Sequence, residues 1–369
     1  MSTDLSARTG GVLVTLAAFV IVVAGMKAAA PLLVPFLLAV FIAIIIAPPY
    51  QWLQDKGLSG GAALLAVMIF LIALLLLTGA LIGTSLDDFS RALPGYQVRL
   101  REITAGLIRW MAGQGLVLSV DTVTQYLDPG KAMKLVSTLL SSMGNMLTNS
   151  FLILITVIFL LLEAAGLPDK WRAASRNAES TLAQFGTATR NINHYMGIKT
   201  LASLATGFVV AIWLWIIGVD YPLLWGLLAF LLNFVPNIGS ILAAVPAVLL
   251  ALIQLGVTQA LLSAAGYVVV NVVIGNFVEP RFMGRGLGLS TLVVFLSLVF
   301  WGWVLGPVGM LLSVPLTIAV KIVLDSREDT RWMAVMLGPK VATAGAGSAD
   351  DLEAVLEDSE QAAQDTDNA

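Results

Sequence analysis

The sequence predicts an all-α, polytopic membrane protein, with inverted helix-plus-broken-hairpin repeats and amphipathic helices outside the bilayer. Three observations predict it. Of 369 residues, 58% are hydrophobic and only 12% charged, and the mean hydropathy is +0.91; soluble domains carry about 25% charged residues. Residues 221–278 contain no Asp, Glu, Lys, Arg or His. One tight cluster, Glu279-Pro280-Arg281 and then Gly284-Arg285-Gly286-Leu287-Gly288, interrupts the hydrocarbon before another charge-free run reaches Val320. Finally, two long apolar segments in this region are each broken near the middle by Pro and Gly.

The elements follow in order. Apolar segments fall at 11–25, 32–47, 62–83, 151–162, 201–218, 222–235, 238–255, 260–278, 291–305 and 308–320. Several are short against the roughly 20 residues a spanning helix needs, so some are extended by polar flanks and some are candidates for re-entry. The expected organisation is N-terminal transmembrane helices (1–84), extramembrane amphipathic helices (85–149), one transmembrane helix (150–163), a cytoplasmic amphipathic helix (164–198), a first helix-hairpin repeat (199–256), a second, inverted one (257–325), and a cytoplasmic acidic tail (326–369). The first apolar run is not read as a cleaved signal peptide, because Lys27 interrupts it, Pro31 would follow the cut at Ala28-Ala29-Ala30, and a second span begins at once.

Basic residues orient the chain. With both termini cytoplasmic, the inner segments hold Lys56, then Lys170, Arg172, Arg176, Arg190 and Lys199, then Arg281 and Arg285, then Arg327, Arg331 and Lys340. The short outer loops hold Asp220, with Lys27 near the first turn, which is the positive-inside pattern. Segment 85–149 is then outside, although it carries Arg91, Arg99, Arg101, Arg109, Lys131 and Lys134; long loops follow the rule poorly. Leu100, Ile103, Leu107 and Trp110 give it an amphipathic helix, Asp121 is a candidate N-cap and Pro129-Gly130 a break. Trp171, Ala174, Ala178, Leu182, Phe185, Ile192 and Met196 mark the packed face of the inner helix. Beyond Lys340 the chain has eight acidic residues, no basic one and no aromatic, the signature of a solvated tail.

The repeat narrows function. Segment 222–256 is broken at Pro236-Asn237-Ile238-Gly239 and runs on to Val245-Pro246; segment 290–324 is broken at Gly306-Pro307-Val308-Gly309 and runs on to Val314-Pro315. Each follows an apolar helix. A hairpin returns to the side it entered from, so the leading helix sets each unit's direction, and the two units are inverted. Inverted repeats with paired Gly/Pro breaks are a design of secondary transporters, with the substrate at the breaks. The plainer alternative is that Pro and Gly only turn the chain between ordinary spans.

Asn233, Pro236, Asn237, Gly239 and Ser240 at the first break, with Gly306, Pro307 and Gly309 at the second, are candidates for the substrate path. A broken helix leaves backbone groups without partners, and amide side chains both donate and accept, which suits a neutral, hydroxyl-rich solute. Interhelical hydrogen bonding by the same amides is the competing reading. Asn271, Gly275 and Glu279 share one face at i, i+4 and i+8, with Asn276 one position round. Polar groups there are costly in lipid and should meet protein or water. Glu279 and Arg281 either line the path or form a structural ion pair. Gly207, Gly226, Ala243 and Ala244 suit close helix packing, Trp301 and Trp303 an interface belt or a hairpin tip.

Other chemistry is excluded by composition. There is no Cys and a single His, His194, so thiol catalysis, disulfides and multi-histidine metal sites are absent. No Walker-type motif exists, since Gly197-Ile198-Lys199-Thr200 has an intruding Ile, and the Gly284–Gly288 run follows no strand. No enzyme, cofactor or nucleic-acid partner is expected.

These residues carry a resemblance. Asn233-Phe234-Val235-Pro236-Asn237-Ile238-Gly239-Ser240 resembles the first signature of the autoinducer-2 exporter family. Its second signature is matched by Gly275-Asn276-Phe277-Val278-Glu279-Pro280-Arg281-Phe282-Met283-Gly284-Arg285, continuing through Phe300-Trp301-Gly302-Trp303 to Gly306-Pro307-Val308-Gly309 and Val314-Pro315. Thr291 stands where many members have Pro. The resemblance implies export of autoinducer-2, a small furanone-type polyol, through the bacterial inner membrane by a homo-oligomer, expected to be a pentamer. Other members are associated with sodium–proton exchange. The alternatives are therefore a sodium–proton antiporter and, in another class, a non-transporting membrane scaffold.

Overall fold

The computed structural model describes residues 2–114, 138, 150–174, 178–236, 238–283, 288–326 and 328–339. Asp121, the Pro129-Gly130 break, Asn237, the run 284–287 and residues 340–369 of the acidic tail lie outside the described residues, while the start of that tail is helical at Glu328–Met336. Among those described, all regular structure is helical. The helices are α1 (Ser2–Ala28), α2 (Ala30–Asp55), α3 (Gly60–Gly113), α4 (Ser150–Ala174), α5 (Ala178–Ile217), α6 (Pro222–Leu232), α7 (Gly239–Leu255), α8 (Val257–Val273), α9 (Glu279–Met283), α10 (Thr291–Leu305), α11 (Pro307–Asp325) and α12 (Glu328–Met336), with a π turn at Ile274–Val278 between α8 and α9.

Five stretches are long and apolar enough to cross a bilayer: Ala30–Asp55, Gly60–Gly106, Ile192–Ile217, Val257–Phe282 and Pro307–Asp325. The chain is a multi-pass helical membrane protein. Its outer surface is correspondingly apolar, with Leu65, Ile69, Leu76 and Leu77 of α3 and Leu261, Val268, Val269 and Phe277 near α8 all exposed. Two helices run further than the hydropathy pattern alone marks. α3 continues without a break from its apolar half past Pro94, and at 1.5 Å per residue it is about 80 Å long. α5 joins the inner amphipathic segment to the spanning one in a single 40-residue helix, because no proline interrupts 178–217.

The two hairpins sit at the centre. In the first, α6 has 11 residues and α7 has 17. α6 rises only about 16 Å, against some 30 Å of hydrocarbon, so this helix alone is too short to span it. In the second, α10 and α11 have 15 and 19 residues. The glycines behave as the sequence suggests. A Cβ on Gly207 would meet the Gly226 carbonyl oxygen at 2.6 Å, and one on Gly226 would meet that of Gly207 at 2.6 Å, so α5 and α6 cross backbone to backbone. Phe89 of α3, Leu214 of α5, Trp225 of α6, and Ala243, Ala247 and Leu250 of α7 fill one core. A second core gathers Phe41 of α2, Met196 of α5, Phe234 of the first tip, and Val308 and Leu312 of α11. Phe234 packs edge-on to Phe41 at 5.6 Å and to Phe230 at 5.7 Å. The first tip is thus wedged between α2 and the second hairpin.

Candidate functional site: a polar track around the first hairpin tip

The first break forms because Pro236 has no N–H to continue α6 and Gly239 must lie against the helix it has just left. The Asn233 N–H still bonds the Ala229 carbonyl at 2.9 Å, Val235 N bonds Leu232 O at 2.8 Å, and Gly239 N bonds Val235 O at 3.2 Å. A Cβ on Gly239 would overlap the Leu232 carbonyl oxygen. Asn233 is buried and its Nδ2 donates to Ser203 Oγ of α5 at 3.0 Å. Pro236 and Ser240 are half-buried.

The track continues along α5. Lys199, one turn before Ser203, donates from Nζ to Glu279 Oε1 at 2.7 Å, with side chains only 9% and 14% exposed. The pair joins the leading helix of the first unit to that of the second. Arg281, the nearer cation in sequence, is exposed and is not Glu279's partner. The reason is the π turn: Glu279 N–H reaches back to Ile274 O, five residues away. This turn breaks the regular spacing that placed Asn271, Gly275 and Glu279 on one face, and it swings Glu279 toward α5. π turns recur at functional sites. Asn271 and Gly275 remain half-buried, with Asn271 Oδ1 in van der Waals reach of a Cβ at Gly275, and Asn276 is exposed. Further buried polar atoms flank the track: Asn193 Oδ1 and Thr200 Oγ1 have no hydrogen-bond partner among the described residues, while Thr206 bonds its own helix at Ala202 O, 2.9 Å.

The second break is different. Gly306 turns the chain alone at φ 71°, its N–H bonds Gly302 O at 2.9 Å and its carbonyl accepts from Met310 N at 3.2 Å. A Cβ on Gly309 would overlap the Trp301 carbonyl oxygen, and Trp301 Nε1 donates across the hairpin to Thr317 Oγ1 at 3.1 Å. Pro307 is exposed. The 306–309 turn presents no polar side chain; Val308, between Pro307 and Gly309, shares a core with Phe234 of the first tip, so this break offers the first tip backbone and apolar surface and no polar side chain.

At the far end of the first hairpin, Tyr96 of α3 donates to Asp220 Oδ2 at 2.9 Å, Gln254 Nε2 bonds both groups, and Arg99 Nη1 donates to Gln254 O at 2.9 Å. Trp225 Nε1 closes the turn on Asp220 O at 2.8 Å. These bonds hold Tyr221 in the left-handed region at φ 59° and fix the roots of α6 and α7 to α3. Burial, joined by the charges of Asp220 and Asp88, raises the Tyr221 phenol above its ordinary value.

The sequence reading counted Lys199 only as an orienting cation and did not place Lys199 or Ser203 in the candidate site. Their signal is spacing: Lys199, Ser203 and Thr206 recur at i, i+4 and i+7 on an otherwise apolar spanning helix.

Comparison with known proteins shows the family. The profile of AI-2E family transporters matches residues 16–328. The chain belongs to the AI-2E transporter family. It is similar to the AI-2 transport protein TqsA of Escherichia coli strain K12, 42% identical over 326 residues that cover 88% of this chain and 95% of that protein. YhhT of the same organism, named provisionally as a transport protein, is 39% identical over 341 residues, 92% of this chain and 97% of its own. A protein of Haemophilus influenzae, similarly named, is 39% identical over 332 residues, 88% and 95%.

Proposed function

We propose that this family member exports autoinducer-2 across the bacterial inner membrane, by moving the tip of its first hairpin against α5. The observation that carries the reading is the buried Asn233–Ser203 bond at a helix break: an amide and a hydroxyl held deep among apolar residues offer a polyol both a donor and an acceptor. The likeness to TqsA supports the same cargo. The roots are pinned to α3 by Tyr96, Asp220 and Gln254, so the proposed movement is of the tip, which must slide against its packing on α2 and the second hairpin. Asn237, Ser240, Asn271 and Asn276 complete the proposed path, and an oligomer of this chain in the inner membrane, both termini cytoplasmic, is part of the proposal.

The test is autoinducer-2 flux in proteoliposomes of purified protein, with and without proton and sodium gradients. Saturable flux abolished by Asn233→Ala supports the reading; no autoinducer-2 flux in the wild type sinks it. The buried Glu279 gives the sodium–proton antiporter its one foothold. Lys199 neutralises that carboxylate, which favours an uncharged cargo. Sodium-driven proton movement lost in Glu279→Gln would decide for the antiporter.

A further inference from the structure

The outer half of α8 carries two hydroxyls that no described residue satisfies. Ser263 is 0% exposed and Tyr267 5%, one turn apart on the buried face, and neither Ser263 Oγ nor Tyr267 OH has a hydrogen-bond partner among the described residues. A buried hydroxyl without a partner forfeits its hydration with nothing in return. A helical Ser or Thr usually bonds a carbonyl of its own helix, as Thr206 does, and a buried Tyr hydroxyl usually finds a partner. Tyr267 instead shares a cluster with Ala243, Ala247 and Ala251 of α7 and Val210 and Leu214 of α5, none of which has a polar side chain.

Their place along the membrane is informative. α5 and α8 run antiparallel and are tied at two levels. Outside, Trp213 Nε1 donates to Leu262 O at 3.0 Å and its indole lies on Gly266; inside, Lys199 meets Glu279. Counting inward from the outer tie at 1.5 Å per residue, Tyr267 lies about 8 Å down and Ser203 about 15 Å. The two hydroxyls therefore stand between the outer cluster of Tyr96, Asp220 and Gln254 and the inner Ser203–Asn233 contact. Gly256, the single residue joining α7 to α8, holds φ 97° with open space around it, a pivot on which the arm can part from α8.

We infer that Ser263 and Tyr267 form an outer subsite for a neutral, hydroxyl-bearing solute, closed in this conformation by α7. This rests on the transport reading above and extends its path outward. The chain has no cysteine, so Ser263→Cys creates a single thiol of nearly the same shape. In proteoliposomes it should react with methanethiosulfonate-ethylammonium roughly tenfold faster than Leu214→Cys, an equally buried position in the apolar core. Tyr267→Phe should keep or raise Tm, since it removes an unpaired hydroxyl, and lower saturable autoinducer-2 flux about tenfold. A Ser263→Cys thiol no more reactive than Leu214→Cys overturns the subsite, whatever the cargo. Unchanged flux in Tyr267→Phe removes the tyrosine as a ligand. If the wild type moves no autoinducer-2 while Ser263→Cys still reacts fast, the subsite stands and the cargo assignment falls.

Discussion

The two hairpins begin from the same sequence pattern and end as different machines. Each is a pair of apolar helices broken by Pro and Gly, and in each a glycine after the break lies against a carbonyl of the arm before it, Gly239 on Leu232 and Gly309 on Trp301. The first unwinds between Leu232 and Gly239 and puts a buried amide at the unwound point. The second turns on Gly306 alone and bolts its arms together with Trp301 and Thr317. Unwound backbone at membrane depth is tolerated only where protein or water can meet it. On the proposed reading, the first hairpin carries the polar work and the second acts as the wall it works against.

The largest expected effect lies in the tie between the two units. Lys199→Met leaves Glu279 charged and buried, which should cost about 3–5 kcal/mol, read as a lowered Tm in detergent. Adding Glu279→Gln should recover most of it; a double variant as unstable as the single would mean the two groups do not form the pair. Next come the tip glycines. Gly239→Ala and Gly309→Ala both force a methyl onto backbone, an overpacking worth about 1–3 kcal/mol each. The asymmetry predicts that Gly239→Ala lowers flux per folded molecule more than Gly309→Ala does. Equal losses would erase the distinction between working hairpin and wall. Gly306→Ala, a Cβ in the left-handed region, should cost about 1 kcal/mol in Tm measurements, whereas Gly197→Ala in mid-helix with open space should cost nothing and gain slightly.

Much of this was legible in the sequence. Hydropathy marked the spans because lipid admits only helices with their backbone bonds closed, and the paired breaks marked the two turns between apolar helices. What distinguishes the hairpins was not legible, because the Pro and Gly that interrupt each are alike, and the outcome depends on what packs around the tip: Phe41 and Ser203 for one, Trp301 and Met310 for the other. Glu279's partner was hidden for two reasons. Lys199 is 80 residues away, while Arg281 is two away, and a π turn cannot be read from α-helical spacing. The long runs of α3 and α5 were masked by hydropathy, which drops at the membrane edge while the helix continues.

The smallest effect belongs to the wall. Lys27, in the last turn of α1, places its Nζ 3.9 Å from the centroid of the Trp303 ring, and Trp303 is itself mostly exposed. This cation–π contact fastens α1 to α10 near the turn of the second hairpin. At an exposed site it is worth about 0.5–1 kcal/mol. Lys27→Ala should lower Tm by that small amount, while Lys27→Arg should not, because a guanidinium stacks on an indole at least as well as an ammonium does. Trp303→Leu should remove the benefit of either cation. If Lys27→Arg proves as damaging as Lys27→Ala, the lysine holds something other than the ring, and the second hairpin is less firmly anchored to α1 than its contacts imply.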